Sequence, residues 1–397
     1  MTSKSWSRRS VLVCAISLVV CAAAQPVERP AKAPCIALLD ETDAERWQVW
    51  TRQVGWQVVS APPEPDANID RHLQTLANKV DEGVKSGVVD PARVYLAGRG
   101  QAAGTVFYAI ARMPDRWAAG VALGGSPKSA IDTNRVFAAN FTNTPVLWAS
   151  SGADDQALAD KLKTAGVNLE WRSSDGLTNS AIFNWLSAHT REEFPASIDC
   201  ETNSPAFASC YWIRMTKFDA NERNDVLPAT LVPGDSGAAL DLGGFGYKAD
   251  EPGPGVTVAF LPEKYSGPLK AGDRLVALDG KPIENARQLV RTLTQAVQTR
   301  PAVVMIERLK DRIRIETRIV VPRRDPVITA RVKASHLPDF HQIEIITRAV
   351  TEMNLVVPPA WVPGDLFWNG LSLENLKTAG CYTLKIEKEL LRAGPCQ

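Results

Sequence analysis

The chain has 397 residues, enough for two or three domains, and its 45% apolar and 22% charged content is that of folded globular protein. A formal net charge of +1 excludes a broadly basic surface, so no nucleic-acid partner is expected. There is no Cys-x-x-Cys, and the four histidines (His72, His189, His336, His341) form no ligand pattern, so neither a metal nor a cofactor is expected.

Residues 1–24 read as a targeting segment. Lys4, Arg8 and Arg9 precede an apolar run from Val11 to Val20, and Ala22-Ala23-Ala24 offers a small-residue cleavage site before Gln25. The run is too short to span a bilayer comfortably, so no membrane span is expected in the mature chain. Ser7-Arg8-Arg9-Ser10-Val11-Leu12 also resembles a twin-arginine export signal, with ordinary secretion favoured. Cleavage removes three positive charges and no negative one, taking the net charge from +1 to −2. The expected location is periplasmic or secreted. Five cysteines then remain. Cys35 lies inside an apolar strand pattern and reads as a free buried thiol. The other four allow three pairings. Short loops favour Cys200–Cys210 and Cys381–Cys396, but the spacing does not decide.

From Cys35 to about Glu193, short apolar runs alternate with amphipathic stretches. The runs begin at Cys35, Trp56, Arg93, Gly120, Pro145 and Asn168. Between them, Asp66–Lys85 places Ile69, Leu73, Leu76, Val80 and Val84 on one helical face. Strand–helix alternation predicts βαβ units and a parallel sheet over residues 33–193. Residues 194–237 lose helical periodicity, gain prolines, and read as a β-rich connector. Within them, Gly234-Asp235-Ser236-Gly237 looks like the serine motif of trypsin-like proteases. No Ala-Ala-His-Cys-like stretch precedes it and no second barrel can follow it, so it reads as a turn. A β-rich module follows over residues 238–322. The tail, residues 323–397, reads as further short strands: Val327–Val332, Ile343–Ile346, Asn354–Val357 and Tyr382–Ile386. Cys210–Lys217 and Cys381–Lys388 are loosely alike, as partner strands of one β-domain interrupted by the module would be.

Asp90–Gly98 followed by Ala109–Gly125 resembles the α/β-hydrolase family, and in particular small esterases of the carboxylesterase or dienelactone-hydrolase kind. The resemblance covers residues 33–192. It implies a nucleophile elbow, Gly-x-Ser-x-Gly, at Gly98-Arg99-Gly100-Gln101-Ala102. Gly100 stands where the serine would be, and glycine cannot form an acyl-enzyme. The orienting carboxylate falls at Gly152-Ala153-Asp154-Asp155, with Asp155 the better candidate; a helix N-cap is the ordinary alternative for both aspartates. The histidine position falls in Ser173–Asn179, near Thr178, where there is none; His189 reads as a surface residue. Where glycines would build the oxyanion hole, Leu39-Asp40-Glu41-Thr42 supplies carboxylates that would repel an oxyanion. Gly100, Asp155 and Thr178 are therefore vestigial positions. Arg99 could hold an anion in the cleft, although an outward, solvated arginine is favoured.

Gly244-Phe245-Gly246-Tyr247 and the run Gly272–Ile283 resemble the PDZ family, particularly bacterial members that accompany secreted proteases. The resemblance covers residues 238–322. It implies that successive amides of Phe245, Gly246 and Tyr247 bind a terminal carboxylate and that a peptide adds as a strand. Phe245 and Tyr247, with Leu289 and Leu293 opposite, would shape a pocket for an apolar last residue; packing of the module's own core is the alternative. The stretch before the loop lacks the Arg or Lys that would give the carboxylate a second contact. The sequence thus predicts an α/β-hydrolase-like parallel-sheet domain, a PDZ module and a β-rich C-terminal region. The expected activity is capture of peptides or protein C-termini without catalysis. The alternative is an exported esterase or peptidase with a displaced nucleophile such as Ser126 or Ser151.

Overall fold

Strand–helix alternation builds the first half of the chain. The computed structural model describes residues 32–62, 68–152, 154–222, 224, 226–235, 237–248, 251–322, 328–387 and 390–396. In chain order the first domain runs β1 (Ala33–Leu38), α1 (Ala44–Arg52), β2 (Gln57–Ser60), α2 (Ile69–Lys85), β3 (Val89–Arg99) and α3 (Gln101–Arg112). It continues with β4 (Ala119–Leu123), α4 (Lys128–Ile131), β5 (Val146–Ser150), α5 (Asp155–Thr164), β6 (Leu169–Ser173) and α6 (Asn179–Ser187). All six strands are parallel, in the order β2-β1-β3-β4-β5-β6. The apolar runs are continuous because both faces are covered. Along β1, Cys35 and Ala37 join the core formed with α2, α3 and α5, while Ile36 and Leu38 join the opposite core with α1 and α6. The predicted face of α2 packs as expected: Leu73, Leu76 and Val80 are buried, and Ile69 and Val84 pack at its margin. Asn68 begins that helix by accepting from the Asp70 amide at 3.0 Å.

The next strands are β7 (Ser197–Thr202), β8 (Ser209–Cys210) and β9 (Ile213–Phe218). They are followed by β10 (Ala239–Leu240), β11 (Gly246–Tyr247), β12 (Val256–Phe260), β13 (Arg274–Leu278), β14 (Lys281–Pro282), α7 (Ala286–Thr294), β15 (Arg300–Arg308) and β16 (Asp311–Val320). The module from β10 to β16 has its own sheet, in the order β10-β16-β15-β13-β12-β11 with β14 paired to β13. Its core is separate, centred on Leu275, Val304, Ile306 and Ile319. Asp279 and Gly280 both take positive φ, 49° and 77°, and close the β13–β14 hairpin as a two-residue turn.

The chain ends with β17 (Ala330–Leu337), β18 (Gln342–Arg348), β19 (Val350–Val357), β20 (Gly364–Trp368), β21 (Leu371–Leu376), β22 (Gly380–Glu387) and β23 (Leu390–Pro395). One sheet runs β21-β20-β18-β17-β7 and another β23-β22-β19-β9-β8. Their facing side chains, among them Val332, Trp368, Met215 and Leu355, share one core, so the two sheets form a sandwich. Residues 194–237 are thus no mere connector: β7, β8 and β9 are sandwich strands. The reason is long-range pairing that local composition does not reveal, β7 with β17 and β9 with β19. The likeness of Cys210–Lys217 to Cys381–Lys388 has a structural counterpart. β9 and β22 lie in the same sheet, one on each side of β19.

Disulfides Cys200–Cys210 and Cys381–Cys396 are present. The first ties β7 of one sheet to β8 of the other. Cys35 is free and buried, and burial pushes its thiol up to about 12, against a hydrogen bond from the Val59 backbone, so it stays protonated and inert. Among the described residues, no helix is long and apolar enough to cross a membrane, and no cluster of His, Cys, Asp or Glu is arranged to hold a metal. The targeting segment, residues 1–24, and Ser236 of the Gly-Asp-Ser-Gly turn lie outside the described residues.

Candidate functional site

The parallel sheet ends in loops that bring Gly100, Gly124–Ser126, Ser150–Gly152, Asp154, Asp155 and Ser173–Thr178 to one edge, where ligands of open α/β sheets bind. Gly100 is the residue between β3 and α3. Its φ of 59° and ψ of −121° are a conformation that side chains other than glycine's adopt only under strain. A Cβ built there meets nothing within 4 Å, so the turn presents an empty position to open space. The turn is packed from below. A Cβ on Gly125 would stand 1.8 Å from the Gly100 carbonyl oxygen, so only glycine permits that close approach. The Gly100 amide donates to Leu123 O at 2.8 Å, and Trp148 Nε1 donates to Gly125 O at 2.7 Å. The geometry is that of an elbow with no group at its tip.

Around the elbow the expected partners are otherwise engaged. Asp155 opens α5 and accepts from Ser150 Oγ in a short contact. Asp154 occupies the N-cap position but makes no side-chain cap, contrary to the ordinary expectation; its carboxylate turns to Arg291 of α7 at 2.5 Å. Thr178 caps α6, accepting from the Ala181 amide at 3.3 Å. Asp40 accepts from the Thr42 amide at 2.9 Å and so caps a short 3₁₀ turn. Arg99 is partly solvated, its side chain 40% exposed, but it is not free in solvent. Its Nε lies 3.3 Å from Asp43 and its guanidinium 5.7 Å from the Trp50 ring. Neither neighbour was signalled by sequence spacing; both come from α1 and the turn before it. Ser126 and Ser151 are exposed on the loops after β4 and β5.

The four histidines lie elsewhere. His189 is half-buried just past α6. Its Nδ1 lies 2.8 Å from Trp185 O and its ring is 4.3 Å from the Trp185 ring, so it belongs to the helix end. His72 is buried in α2, and His336 stacks on Trp361 at 4.3 Å in the sandwich. Among the described residues, no hydroxyl or thiol is hydrogen-bonded to an imidazole.

The second place is the loop before β11, the edge strand of the module sheet. β11 pairs with β12 on one side only, Gly246 opposite Phe260 and Tyr247 opposite Val258, with a bulge between them. Among the described residues, the amides of Gly244 and Phe245 make no backbone hydrogen bond, and Gly244 is exposed. Phe245, Tyr247 and Leu293 are half-buried and pack against the module core, and the Phe245 and Tyr247 rings are 6.4 Å apart. Leu289 is 2% exposed and belongs to that core, so it lines no open surface in this structure. Asn285 caps α7 by accepting from the Gln288 amide at 2.9 Å.

No protein-family model and no curated protein matches the chain. Among solved structures, SOBER1 of Arabidopsis thaliana is 15% identical, with a TM-score of 0.29, over 40% of this chain and 97% of its own. A thermostable esterase is 16% identical, with a TM-score of 0.32, over 42% of this chain and 57% of its own. FphF, a fluorophosphonate-binding serine hydrolase of Staphylococcus aureus, is 10% identical, with a TM-score of 0.31, over 42% of this chain and 86% of its own.

Proposed function

We propose that the protein is exported and captures extended peptides or protein C-termini through a PDZ-type module, residues 238–322, carried on a non-catalytic α/β-hydrolase-like domain, residues 33–193. The observation that carries this reading is the Gly244–Tyr247 loop: the unengaged amides of Gly244 and Phe245 run into β11, an edge strand paired on one side only. Such a loop can accept a carboxylate from backbone donors, and the peptide then continues the sheet beside β11. Phe245 and Tyr247 offer apolar surface for the last side chain. In the first domain Gly100 carries no nucleophile, and a site without its triad loses on the order of 10⁴–10⁶ in rate. Two disulfides are compatible with an oxidising compartment.

The test is fluorescence polarisation of the full chain with labelled peptides ending in an apolar residue. Free-carboxylate peptides should bind about tenfold or more tightly than the same peptides amidated at the C-terminus. Gly244→Phe, where an added Cβ meets only Pro262 at 3.9 Å, should weaken binding by covering the amides. Equal binding of amidated and free peptides would remove the carboxylate-capture reading.

The second reading, a hydrolase with a displaced nucleophile, is favoured by one observation: Ser126 and Ser151 are exposed at the same sheet edge as the empty elbow. Fluorophosphonate labelling at either serine, with ester turnover abolished by its alanine variant, would establish it over the first.

A further inference from the structure

We propose that a cleft at the opposite end of the parallel sheet binds a small organic anion with an apolar, aromatic-sized body. The cleft encloses about 640 Å³, inside the range of roughly 300–1,000 Å³ usual for small-molecule sites. It lies between α2, the start of β3, the turn after α3, and the segment from Ala206 to Arg214. Pro91 and Val94 place it at the entry of β3, whereas Gly100 marks the exit of the same strand.

The cleft is cationic in a chain that is nearly neutral. Four guanidiniums line it, Arg112, Arg116, Arg191 and Arg214, against two carboxylates, Asp81 and Asp115. Two of the four are committed. Arg112 is 3% exposed, bonds Asp70 at 3.2 Å and Asn203 at 3.0 Å, and lies 4.1 Å over Phe207. Arg116 pairs with Asp81 at 2.6 Å. The other two form no ion pair among the described residues. Arg191 donates only to the backbone carbonyls of Pro91, at 3.2 Å, and Asp115, at 3.1 Å. Arg214 stands exposed on β9, and among the described residues neither it nor Arg191 has a carboxylate partner. Asp115, whose carboxylate accepts from Ser209 Oγ at 2.6 Å, keeps its one negative charge, so the two uncommitted guanidiniums outnumber it. Guanidinium groups held this way match the planar geometry of a carboxylate or the oxygens of a phosphate. Val80, Val84, Met113 and Phe207 supply the apolar wall that the body of the ligand would cover.

Isothermal titration of the full chain with 1-naphthyl phosphate, 1-naphthoate and neutral 1-naphthol tests this. The anions should bind about tenfold or more tightly than naphthol, and the tighter of the two identifies the head group. Arg214→Gln should weaken both anions about three- to tenfold and leave naphthol unchanged, because the exposed guanidinium contributes only its charge and fork. Arg191→Gln should act likewise. If that variant loses its cooperative melt, because Arg191 also bridges two carbonyls, Arg214→Gln decides alone. Arg214 is a sandwich residue, so its effect cannot arise at the glycine loop of the module. Naphthol binding as tightly as the anions, or Arg214→Gln binding them as the wild type does, would overturn the proposal. So would the absence of anion binding at about 5 mM, a concentration that detects even millimolar affinity.

Discussion

The elbow at Gly100 and the loop at Gly244–Tyr247 are both turns that glycine makes possible, and they differ in what glycine costs them. At the elbow the chemistry would have to come from a side chain, so glycine there leaves a frame without a reactive group. At the loop the proposed donors are backbone amides, and Gly244 and Gly246 add no side chain to cover them. One residue type thus disables the first kind of site and suits the second. Backbone-built recognition needs few particular side chains, whereas acyl transfer needs several placed together.

The comparison can be broken most forcefully at the module core. Leu275→Ala removes a fully buried side chain and should cost about 2–5 kcal/mol. Peptide binding should fall with module unfolding, while the near-ultraviolet signal of the first domain's buried tryptophans persists. Loss of both signals together would show that the two cores do not melt separately. Gly100→Ser sharpens the elbow side. The hydroxyl has space, but the backbone conformation should cost about 1–3 kcal/mol, read as a lower Tm. Acyl-ester turnover should stay at background because, among the described residues, no imidazole stands at the elbow to activate the serine. Turnover above background would show that the elbow can still be activated.

Acid should act next, and on the module. Asp273 is buried; burial disfavours its ionised form, but Arg308 and the Lys270 amide overcome this and hold its carboxyl below the usual range. Asp279 is likewise held low, against burial, by the Val303 amide and Arg300. Both groups bind protons less readily folded than unfolded. Their stabilisation is complete above the ordinary aspartate value, near 4, and is lost as pH falls through the lower folded values. Peptide binding and module Tm should decline together below about pH 4; a module that melts at the same temperature at pH 3 and pH 6 would contradict this. The smallest effect is expected from Arg291→Ala, which breaks an exposed pair with Asp154 and should cost no more than about 1 kcal/mol, less in high salt. Any larger loss of Tm would mean that the module and the elbow edge are coupled beyond one ion pair.

The first domain was the most legible part of the sequence because both its periodicities are local. Apolar runs show strands buried on both faces, and Ile69, Leu73, Leu76, Val80 and Val84 show the core face of α2. Gly100 was legible from its flanking strand and helix. The neighbours of Arg99 were not, because Asp43 and Trp50 reach it through packing between α1 and β3. The sandwich was legible only as strand texture: β7 finds β17 more than a hundred residues away, and nothing in residues 194–237 announces it. Leu289 shows the remaining ambiguity. An apolar residue on a short helix has the same sequence signature whether it lines a groove or fills a core. The arginine cleft is not legible in the sequence because its four guanidiniums come from three stretches of chain, at Arg112 and Arg116, at Arg191 and at Arg214.

The long pairing of β9 with β19 has a consequence for biogenesis. When β9 leaves the ribosome its partner has not been made, and at ~10 residues per second it would wait on the order of ten seconds for it. Until then β7 to β9 carry open hydrogen-bonding edges, the condition under which nascent β-proteins aggregate. A chaperone holding the nascent segment, or passage to another compartment before folding begins, would shield those edges until the last strands arrive.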